Sequence, residues 1–254
     1  MSVLLGVAIT GISGGPSSSA TSVDSALTVS GDQPAVRGGS WSVAEAPERV
    51  VLISDSAIAG IRWFGALGHL RYSTWIDRLD SCRRLLRESC RGREGTRPLT
   101  AQREIQRFVS DHGLARDDDL LIIAVGYNDW HGTFRTDVTA VMTQARLAGF
   151  RHVAWLTYRE NTRYALPDDR EFEVADYAAM NRVLRDEAAS GRWPELSLIE
   201  FDAAMRFRTS WFTADGVHLT AAGAPAVATW LSNEVLFVRH PEFAPDNWLS
   251  LDQR

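Results

Sequence analysis

The chain has 254 residues, 45% of them hydrophobic and 23% charged, with a formal net charge of −5. That length suits one substantial domain, that composition excludes wholesale disorder or a long coiled coil, and that charge, free of long like-charge runs, gives nucleic acid or an anionic membrane little to grip. None of the 27 basic residues is a lysine, which excludes a Schiff-base lysine, a pyridoxal phosphate anchor and a P-loop lysine.

The first apolar run, "VLLGVAITGISGG", is followed by "PSSSATS", the order of a signal-peptide core and its small-residue cleavage site. The expectation is an exported protein, secreted or in the cell envelope, with a cytoplasmic one as the alternative. The run is too short and glycine-rich for a membrane span. From about Gly14 to Pro47, Ser, Gly, Ala, Thr and Pro prevail without an apolar period, which predicts a flexible lead-in. Residues 1–47 are thus set apart from a folded domain over 48–254 that ends in a tail.

"RVVLIS" (49–54) predicts a buried strand that stops abruptly in Ser54-Asp55-Ser56, after which Ala57, Ala59 and Gly60 begin a helix. The only cysteines, Cys82 and Cys90, frame "CRRLLRESC" and allow either a local disulfide or two buried thiols. Export favours the disulfide, which the loop-entropy model values at roughly 2.5 kcal/mol. No Cys or His cluster has zinc-ligand spacing, so no metal is expected. Further along, "TAQREIQRFVSDHG" (100–113), "RTDVTAVMTQARLAG" (135–149), "EFEVADYAAMNRVLRDEAAS" (171–190) and "TAAGAPAVATWLSNEV" (220–235) read as amphipathic helices. Between them, "DLLIIAVG" (119–126), "HVAWLTY" (152–158) and "LSLIEF" (196–201) read as strands, and "RENTRYALPDDR" (159–170) as a loop bordering the pocket. Alternation of this kind predicts a parallel sheet with helices on both faces, where function gathers at the carboxyl edge.

Three clusters fall at that edge or in a loop. Ser56 follows the first strand at a helix N-terminus, which suits an oxyanion, although for this cluster alone Ser54 or Asp55 as a plain helix cap is the better explanation. "GYNDW" (126–130) follows the most apolar strand: Gly126 allows a tight turn and a backbone donor, and Asn128 offers an uncharged amide donor, but a Gly-x-Asn-Asp turn needs no chemistry. "FTADGVHLTAAG" (212–223) spaces Asp215 and His218 so that the carboxylate can orient the imidazole; a solvated pair is the ordinary alternative.

Taken together and in order, "SDS" (54–56), "GYND" (126–129) and "DGVH" (215–218) closely resemble the "GDS", "GxND" and "DxxH" blocks of the SGNH hydrolases, or GDSL-type esterases. The resemblance spans about Arg49 to Val235 and implies a flavodoxin-like three-layer α/β/α sandwich with a parallel sheet. It implies Ser56 as nucleophile, His218 as general base and Asp215 as its orienting carboxylate. The oxyanion hole would be formed by the Ser56 N–H, the Gly126 N–H and the Asn128 amide. Two departures stand out. Ser54 replaces the first family glycine, and the family's second glycine block has no clean match; "SCRGREG" (89–95) is its place, with Gly92 preferred over Gly95.

The resemblance therefore implies a serine esterase acting through an acyl-enzyme on a small-molecule, acyl-lipid or O-acylated carbohydrate ester, with no cofactor. An acyltransferase using the same residues is one alternative. A non-catalytic carbohydrate- or lipid-binding module, with some of the nine tryptophans as stacking surfaces and Trp130 the one nearest Asn128, is another.

Overall fold

Strands buried on both faces need continuous aliphatic runs, and such runs supply most of the sheet. The computed structural model describes residues 47, 49–162 and 170–239, which belong to one compact unit, Gly39–Arg254. The signal-like run with its lead-in, part of the 159–170 loop and the C-terminal tail lie outside the described residues. The strands are β1 (Arg49–Ser54), β2 (Thr74–Leu79), β3 (Leu120–Ala124), β4 (His152–Leu156) and β5 (Leu196–Ile199). All pairings are parallel, in the order β2-β1-β3-β4-β5.

The helices are α1 (Ser56–Trp63), α2 (Ala101–His112), α3 (His131–Leu147), α4 (Arg170–Ala189), α5 (Phe201–Met205) and α6 (Gly223–Arg239). Side-chain alternation along each strand divides the core into two layers. Val51, Ile53, Leu121, Ile123, Val153 and Trp155 pack with residues of α2, α3 and α4, including Phe108, Val138 and Leu184. Val50, Leu52, Leu120, Ile122 and Ala154 pack with residues of α1 and α6, including Ile58, Ile61, Val227 and Leu231. A one-residue slip of β1 would exchange the two sets, so its register is firmly specified. The result is the three-layer α/β/α sandwich.

Two differences from the sequence reading have simple causes. β2, "TWIDRL", is absent from the sequence reading: as an edge strand it is only half-buried over most of its length and carries Asp77 and Arg78, so no aliphatic run marks it. β3 and β4 end at Ala124 and Leu156, short of 126 and 158, because the chain turns away there to build loops. In register, Ser54 of β1 lies beside Leu79 of β2 and Ala124 of β3. The segments leaving these three strands therefore start side by side.

Candidate active site

The abrupt end of β1 is organised by Asp55, which is fully buried. Its Oδ1 accepts the Ala57 N–H at 3.0 Å and so caps α1, while Oδ2 accepts the N–H groups of Gly126 and Tyr127, each at 3.0 Å. One carboxylate thus ties the start of α1 to the loop after β3. Burial, the largest influence, raises this carboxyl above its usual value against those three donors. Ser56 is the first residue of α1, where backbone N–H groups have no intrahelical acceptor.

Gly126 adopts φ 152°, and a Cβ there would fall 2.1 Å from the hydroxyl of Tyr158, which itself donates to the Val125 carbonyl at 2.7 Å. Only glycine fits. The expectation that the Gly126 N–H serves an oxyanion is corrected by the same geometry, because that donor is occupied by Asp55. Asn128 donates one amide N–H to the Arg83 carbonyl at 3.2 Å, which leaves its second N–H for the cavity it lines. Asp129 accepts the Leu85 N–H at 3.1 Å, and burial pushes its carboxyl up to about 7. These two bonds clamp the 126–129 turn onto the loop after β2.

That loop holds the Cys82–Cys90 disulfide. It is anchored by Arg83, which is fully buried and donates to the Ser54 carbonyl at 3.0 Å, to Glu104 at 3.0 Å and to Asp80 at 2.5 Å. Gly92, chosen from the sequence as an oxyanion donor, lines the cavity, but its N–H is spent on the Thr96 carbonyl at 2.8 Å. Gly95 likewise donates to Gly92, at 3.0 Å. Cys82, expected from the sequence only as one end of a disulfide, also stands in the cavity wall, a place that sequence reasoning missed. It lines the same cavity, holds a left-handed φ of 63°, and its N–H makes no hydrogen bond among the described residues. A search for glycine passes over it, since left-handed backbone is uncommon for other residues; its place just past a strand end was hidden with β2.

The "DGVH" segment supplies the last part. Gly216 turns at φ 78°, the Thr213 N–H reaches the His218 carbonyl at 2.7 Å, and Phe212 bridges Leu219, so the imidazole is placed by backbone bonds. His218 Nδ1 lies 2.7 Å from Asp215 Oδ2 and its Nε2 lies 2.9 Å from Ser56 Oγ. Asp215 Oδ1 also accepts from the Thr213 hydroxyl at 2.6 Å and from the N–H groups of Val217 and His218. Partial burial alone would raise this carboxyl, but the bonds from His218, Thr213 and the backbone hold it well below the usual range. It stays ionised and fixes the imidazole.

Ser56, Cys82, Asn128, Asp215 and His218 thus share one open cavity of about 550 Å³. The aromatic residues on its wall are Trp63 and Phe64; Trp130, singled out from the sequence, is exposed and lies outside it. Among the described residues no group of three His, Cys, Asp or Glu side chains is placed to hold a metal ion. None of the helices described is long and apolar enough to cross a membrane.

A three-layer sandwich with hydrogen-bonded Ser, His and Asp side chains at the carboxyl edge of a parallel sheet defines a class of architecture, and solved structures locate it more closely. No protein-family model and no curated protein sequence matches the chain. Among solved structures, a carbohydrate acetylesterase from Sinorhizobium meliloti is similar over 74% of this chain and 98% of its own, with a TM-score of 0.53 at 15% identity. An aryl esterase from M. smegmatis matches with the same coverage and TM-score at 18% identity. A lipolytic protein of the G-D-S-L family from Veillonella parvula matches at a TM-score of 0.52 and 13% identity, over 74% of this chain and 97% of its own. The fold is that of the SGNH hydrolases.

Proposed function

We propose that the chain is a serine esterase that cleaves carboxylic esters through an acyl-enzyme on Ser56. The observation that carries this reading is the unbroken line from Asp215 to His218 to Ser56, with contacts of 2.7 and 2.9 Å, opening into a cavity. His218 takes the Ser56 proton as Oγ attacks the ester carbonyl, and returns it to the leaving alcohol; a water activated in the same way then releases the acid. The Ser56 N–H, the Cys82 N–H and the second Asn128 N–H are the donors assigned to the oxyanion, replacing the Gly126 and Gly92 donors expected from the sequence. Acyl lipids and O-acylated carbohydrates are the substrate classes under this reading. The bridged cysteines support an exported enzyme, since such bonds persist in oxidising compartments.

The test is labelling with a fluorophosphonate followed by peptide mass spectrometry, together with hydrolysis of para-nitrophenyl esters of increasing acyl length. Label on Ser56 alone, and loss of turnover in Ser56→Ala with the fold intact, is the expected result. Label elsewhere, or an active Ser56→Ala, overturns the assignment. Product analysis in the presence of added sugar or alcohol separates hydrolysis from acyl transfer.

A further inference from the structure

One wall of the cavity beside Ser56 and His218 is lined by Arg91, Gly92 and Arg93, within the segment from Cys90 to Gly95. Arg91 and Arg93 both line the cavity, and neither forms an ion pair among the described residues. The acidic groups near them are already engaged. Asp215 is held by four donors. Glu94 accepts from Trp63 Nε1 at 2.8 Å and from the Ser81 hydroxyl at 2.6 Å. In a chain of net charge −5 that ties many of its arginines to carboxylates, these two guanidinium groups stand in the wall of the reaction cavity without a carboxylate partner among the described residues.

The segment that carries them is rigidly mounted. The disulfide joins Cys90 to Cys82 in the adjoining wall, the Arg93 N–H donates to Ser81 Oγ at 2.5 Å, and the Gly92 N–H closes a turn on Thr96. A Cβ at Gly92 would lie 2.5 Å from Ser81 Oγ and 2.7 Å from the Ser81 carbonyl, so the close packing against Ser81 requires glycine there. The Arg93 guanidinium is stacked over the Trp63 ring at 4.7 Å, an arrangement that orients the group without consuming its N–H donors. A guanidinium held in this way suits bidentate recognition of a carboxylate, phosphate or sulfate, and Arg91 adds a second positive charge to the same wall.

We infer that the esters taken by this site carry an anionic group a short distance from the scissile bond, bound by Arg91 and Arg93. The inference rests on the esterase reading of Ser56 and narrows its substrate class to acidic esters, with the anion on either the acyl or the alcohol side. Both arginines are exposed, so the selectivity expected is about tenfold in total, and it weakens as salt is raised.

Two matched ester pairs test it. One is 3-carboxy-4-nitrophenyl acetate with its methyl ester, placing the anion on the alcohol; the other is mono-4-nitrophenyl succinate with its methyl ester, placing it on the acyl group. The quantity read is the anionic-to-neutral ratio of kcat/KM in the variant relative to the wild type, which cancels the intrinsic reactivity of each ester. In Arg91→Gln/Arg93→Gln that ratio should fall about tenfold for at least one pair, and the pair that responds identifies which side bears the charge. Arg93→Glu should push the ratio lower still. An unchanged ratio for both pairs overturns the inference. Failure of the esterase reading looks different: no ester would show Ser56-dependent turnover. The anion site is then judged by calorimetric titration of Ser56→Ala with 5-hydroxy-2-nitrobenzoate and with its methyl ester. Tighter binding of the anion, abolished by the two arginine substitutions, supports the site, and equal binding of the two refutes it.

Discussion

Asp55→Asn is the substitution that most directly tests how the site is assembled. The wild-type carboxylate accepts three backbone N–H groups, one from α1 and two from the loop after β3. An amide has one acceptor oxygen. With that oxygen turned to Gly126 and Tyr127, the NH₂ faces the Ala57 N–H, so the cap is lost at about 1 kcal/mol and a buried donor is left unpaired at about 1–3 kcal/mol. The total, about 2–4 kcal/mol, corresponds to a Tm lowered by roughly 5–15 °C in a domain of this size. Because the same bonds position Ser56 and the turn bearing Asn128, kcat should fall further than stability alone explains, about 10²-fold for a displacement near 1 Å, with KM changing less. Calorimetric melting at pH 8 and steady-state kinetics on one soluble ester measure both quantities. A Tm within 2 °C of the wild type combined with normal kcat would refute the account of Asp55 as the link between the two loops.

Four further outcomes follow from the geometry. Asn128→Ala removes an assigned oxyanion donor and should lower kcat about 10²–10³-fold with little change in KM, so a change confined to KM would make it a substrate-binding residue instead. His218→Ala should abolish turnover, whereas Asp215→Ala should leave a measurable residue of it because a poorly oriented imidazole still accepts a proton; the reverse ranking, from initial rates, would reject the assigned roles. Reduction of the Cys82–Cys90 bridge, or Cys90→Ser, should cost roughly 2.5 kcal/mol in denaturant unfolding and lower kcat through the Cys82 N–H, and unaltered kinetics would show that the bridge does not steady that donor. Asp129, raised to about 7 by burial, is held protonated more firmly in the folded chain than in the unfolded one. Its stabilising contribution is full below the unfolded value near 4 and disappears as pH rises through about 7. Since the side chain keeps some solvent contact, a swing on the order of 2 kcal/mol is expected, and the difference between wild type and Asp129→Asn in urea unfolding from pH 4 to 8 should trace it; a flat difference would exclude it.

The parts of this fold that are legible in the sequence are those whose physics is local. A continuous aliphatic run such as Leu120–Ala124 announces a doubly buried strand, and the Asp-x-x-His spacing keeps a carboxylate within reach of an imidazole on one turn of chain. β2 is illegible for the opposite reason: an edge strand is half-solvated, so Asp77 and Arg78 are acceptable within it and the apolar signal vanishes. With β2 hidden, the sequence carries no sign that the loop after it forms a third wall of the site, and Gly92 is the donor it suggests there. What decides the matter is which N–H is already spent, Gly126 on Asp55 and Gly92 on Thr96, and those bonds join residues whose approach depends on folding. Arg83, buried among Ser54, Asp80 and Glu104, is likewise invisible in a sequence where every basic residue is arginine.

The all-parallel order of the sheet bears on how the molecule comes to life. A parallel pair cannot close through a tight hairpin, so each strand waits for a crossover of a dozen or more residues before its neighbour exists. β1 pairs with β3 across about 70 residues, and Ser56 meets His218 across 162. Contacts of such long range form slowly, because chain closure must precede the bonds that reward it. No leading fragment that stops short of His218 holds Ser56, the donors assigned to the oxyanion and the imidazole together. While the chain is being synthesised, Ser56 emerges long before the imidazole assigned to activate it, and appearance of turnover during refolding should coincide with docking of the segment ahead of α6.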